Sequence, residues 1–179
     1  TTGNFVVTGS GANITMASGK TLTGTIDNTT GSSAGVVTLN GTGGVTGDIG
    51  NTRAILTIYA GNSGYTTTFG GAVKADTINL SIGTTNLKGS VTGDINLTSG
   101  GIINLSDNAD VTGYIDNVTS GGGVLNLLGS SKISGNVGDS NTFASFSLFN
   151  SANSSSSFGG KVTVTAITLG SNSGAVAFN

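Results

Sequence analysis

Apolar and polar residues follow two short patterns that recur along the whole chain. In the first, an apolar residue precedes Thr or Ser, then Gly, then any residue and a second apolar residue, as in Val45-Thr46-Gly47-Asp48-Ile49. Two variants have Gly in place of Thr, and the copy that opens the chain is truncated. The central glycines are Gly3, Gly24, Gly47, Gly71, Gly93, Gly113, Gly135 and Gly160. Their spacing of 20 to 25 residues is typical of a solenoid.

The second pattern is an apolar-polar-apolar triplet, such as Ile14-Thr15-Met16, that follows each glycine pattern. The triplets begin at Ile14, Val37, Leu56, Ile78, Ile103, Leu125, Phe146 and Ile167. Strict alternation of this kind predicts β-strands. The abundance of Thr, Val, Ile and Phe agrees with that prediction, since these residues fit a pleated surface.

Two patterns that share one period predict an all-β fold, a right-handed parallel β-helix. We expect a single domain over residues 1–179, with about eight coils of about 22 residues that begin near the central glycines. An incomplete last turn is expected over residues 171–179. The handedness follows from the general bias of parallel β connections. The alternative is a β-sandwich of short antiparallel strands, although its strands need no common phase.

The register of the two patterns predicts which side chains stack in the core. One column is expected to contain Phe5, Ile26, Ile49, Val73, Ile95, Ile115, Val137 and Val162. A second is expected to contain Met16, Leu39, Ile58, Leu80, Leu105, Leu127, Leu148 and Leu169. A single glycine column is expected at one inner corner, where the missing side chain lets the wall bend: Gly24, Gly47, Gly71, Gly93, Gly113, Gly135 and Gly160.

Composition narrows the function classes. Hydrophobic residues make up 35% and charged residues 8% of the chain, the reverse of what disorder requires. The net charge of −2 predicts neither nucleic-acid binding nor a basic membrane patch. There is no Cys, no apolar run long enough to span a membrane and no signal peptide. Because the chain starts at Thr1, we expect a processed product or an excised fragment.

The middle residues of the triplets form the most suggestive polar array. In a β-helix they stack, and Asn79, Asn104 and Asn126 are predicted to form an amide ladder that stabilises the fold. The functional alternative is a flat hydroxyl and amide face that binds ice or a glycan. Ice binding is disfavoured because Thr gives way to Asn in the middle of the stack.

Catalysis finds little support among the ionisable residues. Glycoside hydrolysis requires two carboxylates about 5 to 10 Å apart. The matched pairs Asp48 with Asp94 and Asp27 with Asp116 are expected to be two or more coils apart. With no His there is no Ser-His triad or His general base. Neither a calcium-binding Gly-Asp nonapeptide nor a phosphate loop occurs, so we expect no enzyme activity, no cofactor and no metal site.

The two ends of a β-helix leave backbone groups unpaired, and these can template further strands. Phe5 near one end and Val176 and Phe178 near the other lie in coil-like sequence without a charged or helical cap. They are therefore possible assembly contacts in an end-to-end homo-oligomer.

Three phrases resemble a known family: Gly24-Thr25-Ile26-Asp27-Asn28-Thr29-Thr30-Gly31, Val45-Thr46-Gly47-Asp48-Ile49-Gly50-Asn51-Thr52 and Phe69-Gly70-Gly71-Ala72-Val73-Lys74-Ala75. They are similar to the β-helical passenger domains of rickettsial surface-cell-antigen autotransporters, the outer membrane protein A and B group. The likeness extends over nearly the whole chain and is strongest over residues 20–80. It implies a secreted protein on the bacterial surface, with an adhesive or layer-forming role and no catalytic residues.

Three hypotheses about function follow. The first is a non-enzymatic adhesin or structural stalk, extracellular or on the bacterial outer surface, whose partner is a host-cell surface. The second is a self-assembling fibre or matrix subunit that binds neighbouring copies of itself. The third is a glycan-binding or glycan-cleaving β-helix, which predicts a groove lined by aromatic and acidic side chains. Its aromatic candidates are Tyr59, Tyr65 and Tyr114.

Overall fold

Twenty β-strands and no helix make up the part of the chain that the computed structural model describes, residues 1–149, 154–170 and 174–179. The strands are β1 (Phe5–Val7), β2 (Asn13–Met16), β3 (Lys20–Leu22), β4 (Ile26–Asn28), β5 (Ala34–Leu39), β6 (Gly43–Val45), β7 (Ile55–Ala60), β8 (Thr66–Phe69), β9 (Val73–Leu80), β10 (Thr84–Leu87), β11 (Val91–Leu97), β12 (Ile102–Leu105), β13 (Val111–Thr112), β14 (Ile115–Asn117), β15 (Val124–Leu127), β16 (Lys132–Ile133), β17 (Phe143–Leu148), β18 (Ser155–Phe158), β19 (Val164–Leu169) and β20 (Ala175–Phe178).

All strand pairs are parallel, and each strand pairs with its equivalents in the coils before and after it. The strands line three faces. Face C contains β3, β6, β8, β10, β12, β15, β17 and β19. Face A begins with β1 and β4 and ends with β13, β16, β18 and β20, and face B contains β2, β5, β7 and β14. The long strands β9 and β11 run from face A into face B. The predicted parallel β-helix of about eight coils is confirmed.

The core is a stack of inward-facing apolar side chains, one set for each face. On face C, the column consists of Leu22, Val45, Phe69, Leu87, Leu105, Leu127, Leu148 and Leu169, of which all but the last are buried. Each fully buried aliphatic side chain stabilises the fold by roughly 1.5 to 3 kcal/mol relative to an exposed one. The stacked columns therefore provide the main driving force, which a lone coil lacks.

The two predicted core columns are wrong as continuous columns, because both change face near the middle of the chain. Phe5, Ile26, Ile49 and Val73 stack on face A, where Val91 continues them. Ile95 instead stacks on Ile78 of face B. Likewise Met16, Leu39 and Leu80 belong to face B, whereas Leu105 and its successors belong to face C. The triplet at Leu56 is also displaced by two residues, because Ile58 aligns with Val37 and Leu56 is exposed.

The single glycine column predicted from sequence is likewise wrong. Gly24, Gly47 and Gly71 stack at the corner between faces C and A, where Gly89 continues them. Gly113, Gly135 and Gly160 stack on Gly93 at the corner between faces A and B. A Cβ on Gly47 would lie 2.6 Å from the carbonyl oxygen of Gly24, a clash with the backbone of the preceding coil. The glycines are thus required by the close approach of coils along the axis.

Candidate functional site

A ladder of asparagine amides runs along the outside of face C. The Nδ2 of Asn104 donates to Oδ1 of Asn86, and the Nδ2 of Asn126 donates to Oδ1 of Asn104, each at 2.8 Å. The prediction of Asn79 in this ladder is wrong. Asn79 lies on face B between Tyr59 and Asn96, because its triplet precedes the change of face. Asn86 takes its place, in the row with Thr68 and Asn104.

The polar residues of the glycine pattern join successive coils. Oδ1 of Asp48 accepts the backbone N–H of Ala72 at 2.8 Å, and Oδ1 of Asn136 accepts that of Lys161 at 3.0 Å. Asn4 and Asp94 make the equivalent bonds to Thr25 and Tyr114. The hydroxyls of Thr46 and Ser134 accept N–H groups of Gly24 and Gly113 in the preceding coils. These polar side chains therefore act as clasps, hydrogen bonds that join one coil to the next.

Two aspartates make especially well-paired clasps. Asp27 accepts the Thr52 backbone N–H at 2.8 Å and the Thr52 hydroxyl at 2.5 Å. Partial burial raises the pKa of the Asp27 carboxyl, but the hydrogen bonds from Thr52 and Asn28 outweigh it, so this pKa lies below its ordinary value. For Asp116, burial again raises the pKa, and hydrogen bonds from Ser140 and Asn117 leave it lower than usual.

Most aspartate carboxylates hold neighbouring coils together by hydrogen bonds, and this arrangement decides whether any two of them could form a catalytic pair. Six of the eight aspartates accept a backbone N–H from the next coil: Asp27, Asp48, Asp94, Asp107, Asp110 and Asp116. Of the other two, Asp76 accepts the Ser33 hydroxyl, and Asp139 lies 3.7 Å from the Lys161 ammonium. Neither predicted carboxylate pair comes together, because the change of face puts Asp48 and Asp94 at different corners and Asp27 and Asp116 on different faces.

Two buried asparagines hold the loops that follow them, a role that sequence reasoning missed. Nδ2 of Asn28 donates to the carbonyls of Ser32 and Ala54, and its Oδ1 accepts from Thr30. Asn117 binds the loop of residues 118–123 in the same manner, through Thr119 and Gly122. Both side chains are fully buried. The signal for this role was the Ile-Asp-Asn phrase, which occurs at residues 26–28 and again at residues 115–117.

Two of the concavities on the outer surface adjoin the polar rows of faces C and B. A groove of about 520 Å³ on face C surrounds Gly44 and is lined by threonines, with Lys88 at its edge. A smaller depression of about 170 Å³ on face B lies beside Tyr59, with Thr38, Asn79 and Ser81 in its wall. The latter is where an aromatic ring and unpaired polar groups meet.

The predicted assembly residues lie at the two ends of the stack. Phe5 and Phe178 are exposed and occupy the same inward row of face A, and Val176 is half-buried. The end effect is clear on face C, where Leu148 is 1% exposed and its neighbour Leu169 in the last coil is 60% exposed. Of the predicted last turn, residues 171–173 lie outside the described residues, and Ala175–Phe178 pair with β18.

Residues 1–149, 154–170 and 174–179 contain neither a candidate metal site nor a candidate membrane-spanning helix. Within these ranges, no group of three or more His, Cys, Asp or Glu side chains is arranged to hold a metal ion. The same ranges contain no helix long and apolar enough to cross a membrane.

Comparison with known proteins finds similarity to one protein. No family model matches the chain, and no solved structure matches it. Over 132 residues the chain is 38% identical to Outer membrane protein A of Rickettsia rickettsii. The match covers 71% of this chain but only 5% of that protein. The chain is therefore similar to a small part of a rickettsial outer membrane protein, in agreement with the family resemblance of its repeats.

Proposed function

We propose that the chain is a segment of an extended, non-enzymatic stalk displayed on the outer surface of a bacterium. The observation that carries this proposal is the 38% identity to Outer membrane protein A along a chain that folds as a continuous parallel β-helix. A repeat of coils that bind only their neighbours extends in one dimension. Such a rod can hold the outer parts of the protein away from the bacterial surface. Our candidate for the partner that these outer parts contact is a host-cell surface.

The use of the polar side chains supports a structural role. The carboxylate oxygens of Asp48, Asp107 and Asp110 accept backbone N–H groups of the next coil and so hold the stack together. The amide ladder of face C is satisfied internally in the same way. These features support the proposal of a stalk without enzyme activity.

Surface display is tested with antibodies raised against residues 1–179. We expect them to label intact cells of the source bacterium, and we expect brief protease treatment of intact cells to remove the label. An antibody against a cytoplasmic protein serves as the control for cell integrity. Labelling that requires permeabilised cells would contradict the proposal.

A second candidate, end-to-end assembly of separate copies, is favoured by the exposed core residues at both ends. Leu169 and Phe178 present apolar surface at one end, and Phe5 does so at the other. Sedimentation of the chain over a wide concentration range tests it, with Phe178→Asp as the variant. Association that increases with concentration and is lost in the variant supports assembly, whereas a monomer at every concentration excludes it.

A further inference from the structure

Face B carries a strip of polar side chains between two exposed tyrosines. Tyr59, Asn79, Asn96 and Asp116 occupy one outward row of successive coils, through the register pairs Tyr59 with Asn79, Asn79 with Asn96, and Asn96 with Asp116. Tyr114 stands beside this row, one coil beyond Asn96. At roughly 4.8 Å per coil, the strip is about 14 Å long.

The Asn79 amide of this strip differs from the amides of face C, whereas the side chain of its neighbour Asn96 is hydrogen-bonded to Tyr114. In the ladder of face C, Asn104 and Asn126 each donate to the asparagine of the preceding coil. Within the described part of the chain, the Asn79 amide has no hydrogen-bond partner, although it borders the depression beside Tyr59. An amide offers two donors and an acceptor, and the hydroxyls of Thr38 and Ser81 offer both functions on the same wall.

Tyr59 supplies the apolar component of the site. Its ring is 47% exposed and stands over the depression of about 170 Å³. An exposed tyrosine presents a rigid ring with a polar tip, which suits a ligand that is apolar on one side and rich in hydroxyls on the other. The C–H faces and hydroxyl rims of sugar rings have this character.

The charges of the strip indicate the class of sugar. The depression is lined without any Lys or Arg, so a carboxylated or sulfated sugar would find no cation to pair with. Farther along, Tyr114 lies beside the carboxylates of Asp94 and Asp116, and its pKa is raised by burial and by these charges. The carboxylates repel anions and accept hydrogen bonds from hydroxyl or acetamido groups.

We propose that face B binds a neutral oligosaccharide, aligned with the axis of the β-helix, with Tyr59 under one sugar ring and Tyr114 near the other end. Between the two rings, Asn79 supplies the hydrogen bonds that orient the oligosaccharide, and Asn96 holds the Tyr114 side chain by a hydrogen bond. This binding goes beyond the stalk role and does not depend on it, because the site is complete within one chain.

The test uses titration calorimetry of the full chain with four probes. Cellotetraose, chitotetraose and mannotetraose are the neutral probes, and tetragalacturonate is the acidic one. We expect saturable binding of at least one neutral probe and none of the acidic probe. If no neutral probe binds, or if tetragalacturonate binds more tightly than all of them, the proposal is overturned.

Variants then locate the site on face B. Tyr59→Ala should weaken binding about tenfold, Tyr59→Phe should change it less than about threefold, and Asn79→Ala should weaken it several-fold. Tyr65→Ala is the matched control, because Tyr65 is 41% exposed and lines a concavity with Thr66 and Thr84 but with no asparagine. Equal losses in Tyr59→Ala and Tyr65→Ala, with unchanged thermal unfolding, would exclude face B as the site.

Discussion

The coils before Leu80 and those after Val91 carry the same glycine pattern at different corners of the β-helix. In the first half, Val45-Thr46-Gly47-Asp48-Ile49 runs from face C to face A. In the second half, Val111-Thr112-Gly113-Tyr114-Ile115 runs from face A to face B. The Ile-Asp-Asn phrase moves with it, so that its loop follows face A at Asn28 and face B at Asn117.

The change of corner coincides with two short coils. The inward positions Phe69, Leu87 and Leu105 follow one another at 18 residues, whereas the other steps on face C are 21 to 24 residues. Strand β9 crosses from face A to face B without a loop, and a bulge opposite Gly93 absorbs one extra residue. The sequence pattern recurs about every 22 residues, but a coil here takes only 18. The pattern therefore arrives four residues later in the coil, and four residues is the distance from one face to the next.

The two halves together show that the glycine pattern specifies a corner of the coil. The pattern does not specify which two faces that corner joins. All three faces have the same parallel hydrogen bonding and the same inward apolar rows. A corner built from Gly with polar clasps therefore occurs both between faces C and A and between faces A and B. The predictions that follow test this equivalence, starting with the largest expected effect.

Gly47→Val and Gly135→Val place the same side chain at the two different corners. Each Cβ would collide with the backbone of the preceding coil, at Gly24 and Gly113 respectively, so each variant should lose about 3 kcal/mol or more of unfolding free energy. Urea unfolding followed by circular dichroism measures the loss. Gly31→Val, where a Cβ has open space, is the control. A large loss in only one half would show that the corners are not equivalent.

Asn28→Ala and Asn117→Ala compare the buried loop anchors. Each removes several hydrogen bonds of a fully buried amide and leaves loop carbonyls without their partner, so we expect a loss of about 2 to 3 kcal/mol in both halves. The exposed Asn51→Ala should be close to silent. Unchanged stability in either anchor variant would mean that its loop holds itself in place.

Asp48→Ala removes a single clasp between coils and should cost about 1 kcal/mol. Asp48→Asn should be almost silent, because Asn4 and Asn136 make the same bond at equivalent positions. Thermal unfolding of both variants measures the difference. Equal losses in the two variants would show that the negative charge of Asp48 matters more than its hydrogen bond.

Acid should weaken the clasps of Asp27 and Asp116, one in each half. Their pKa values are lower in the folded chain than the ordinary value, so the folded state binds fewer protons. Their contribution is present above about pH 4 and is lost as the pH falls through the folded pKa. The double variant Asp27→Asn with Asp116→Asn should therefore lose less thermal stability between about pH 5 and pH 3 than the native chain. Parallel slopes would show that other carboxylates cause the acid sensitivity.

The sequence alone determined the parallel β-helix, because alternating apolar residues at a shared period of about 22 are satisfied by few other folds. It also identified Asn104 and Asn126 as stacking partners, since both follow the change of face and keep a common register. Resemblance of the repeats pointed to the rickettsial surface proteins, and similarity to Outer membrane protein A agrees with it.

Only the tertiary structure decided which face each pattern occupies. A sequence period reports how often a corner recurs, but a coil that loses four residues shifts the corner without disturbing that period. For this reason Asn79 was assigned to the ladder in place of Asn86, and the glycines were assigned to one column in place of two. The partners of the clasps were hidden as well, because each lies at least 20 residues away, in a coil whose alignment depends on that shift.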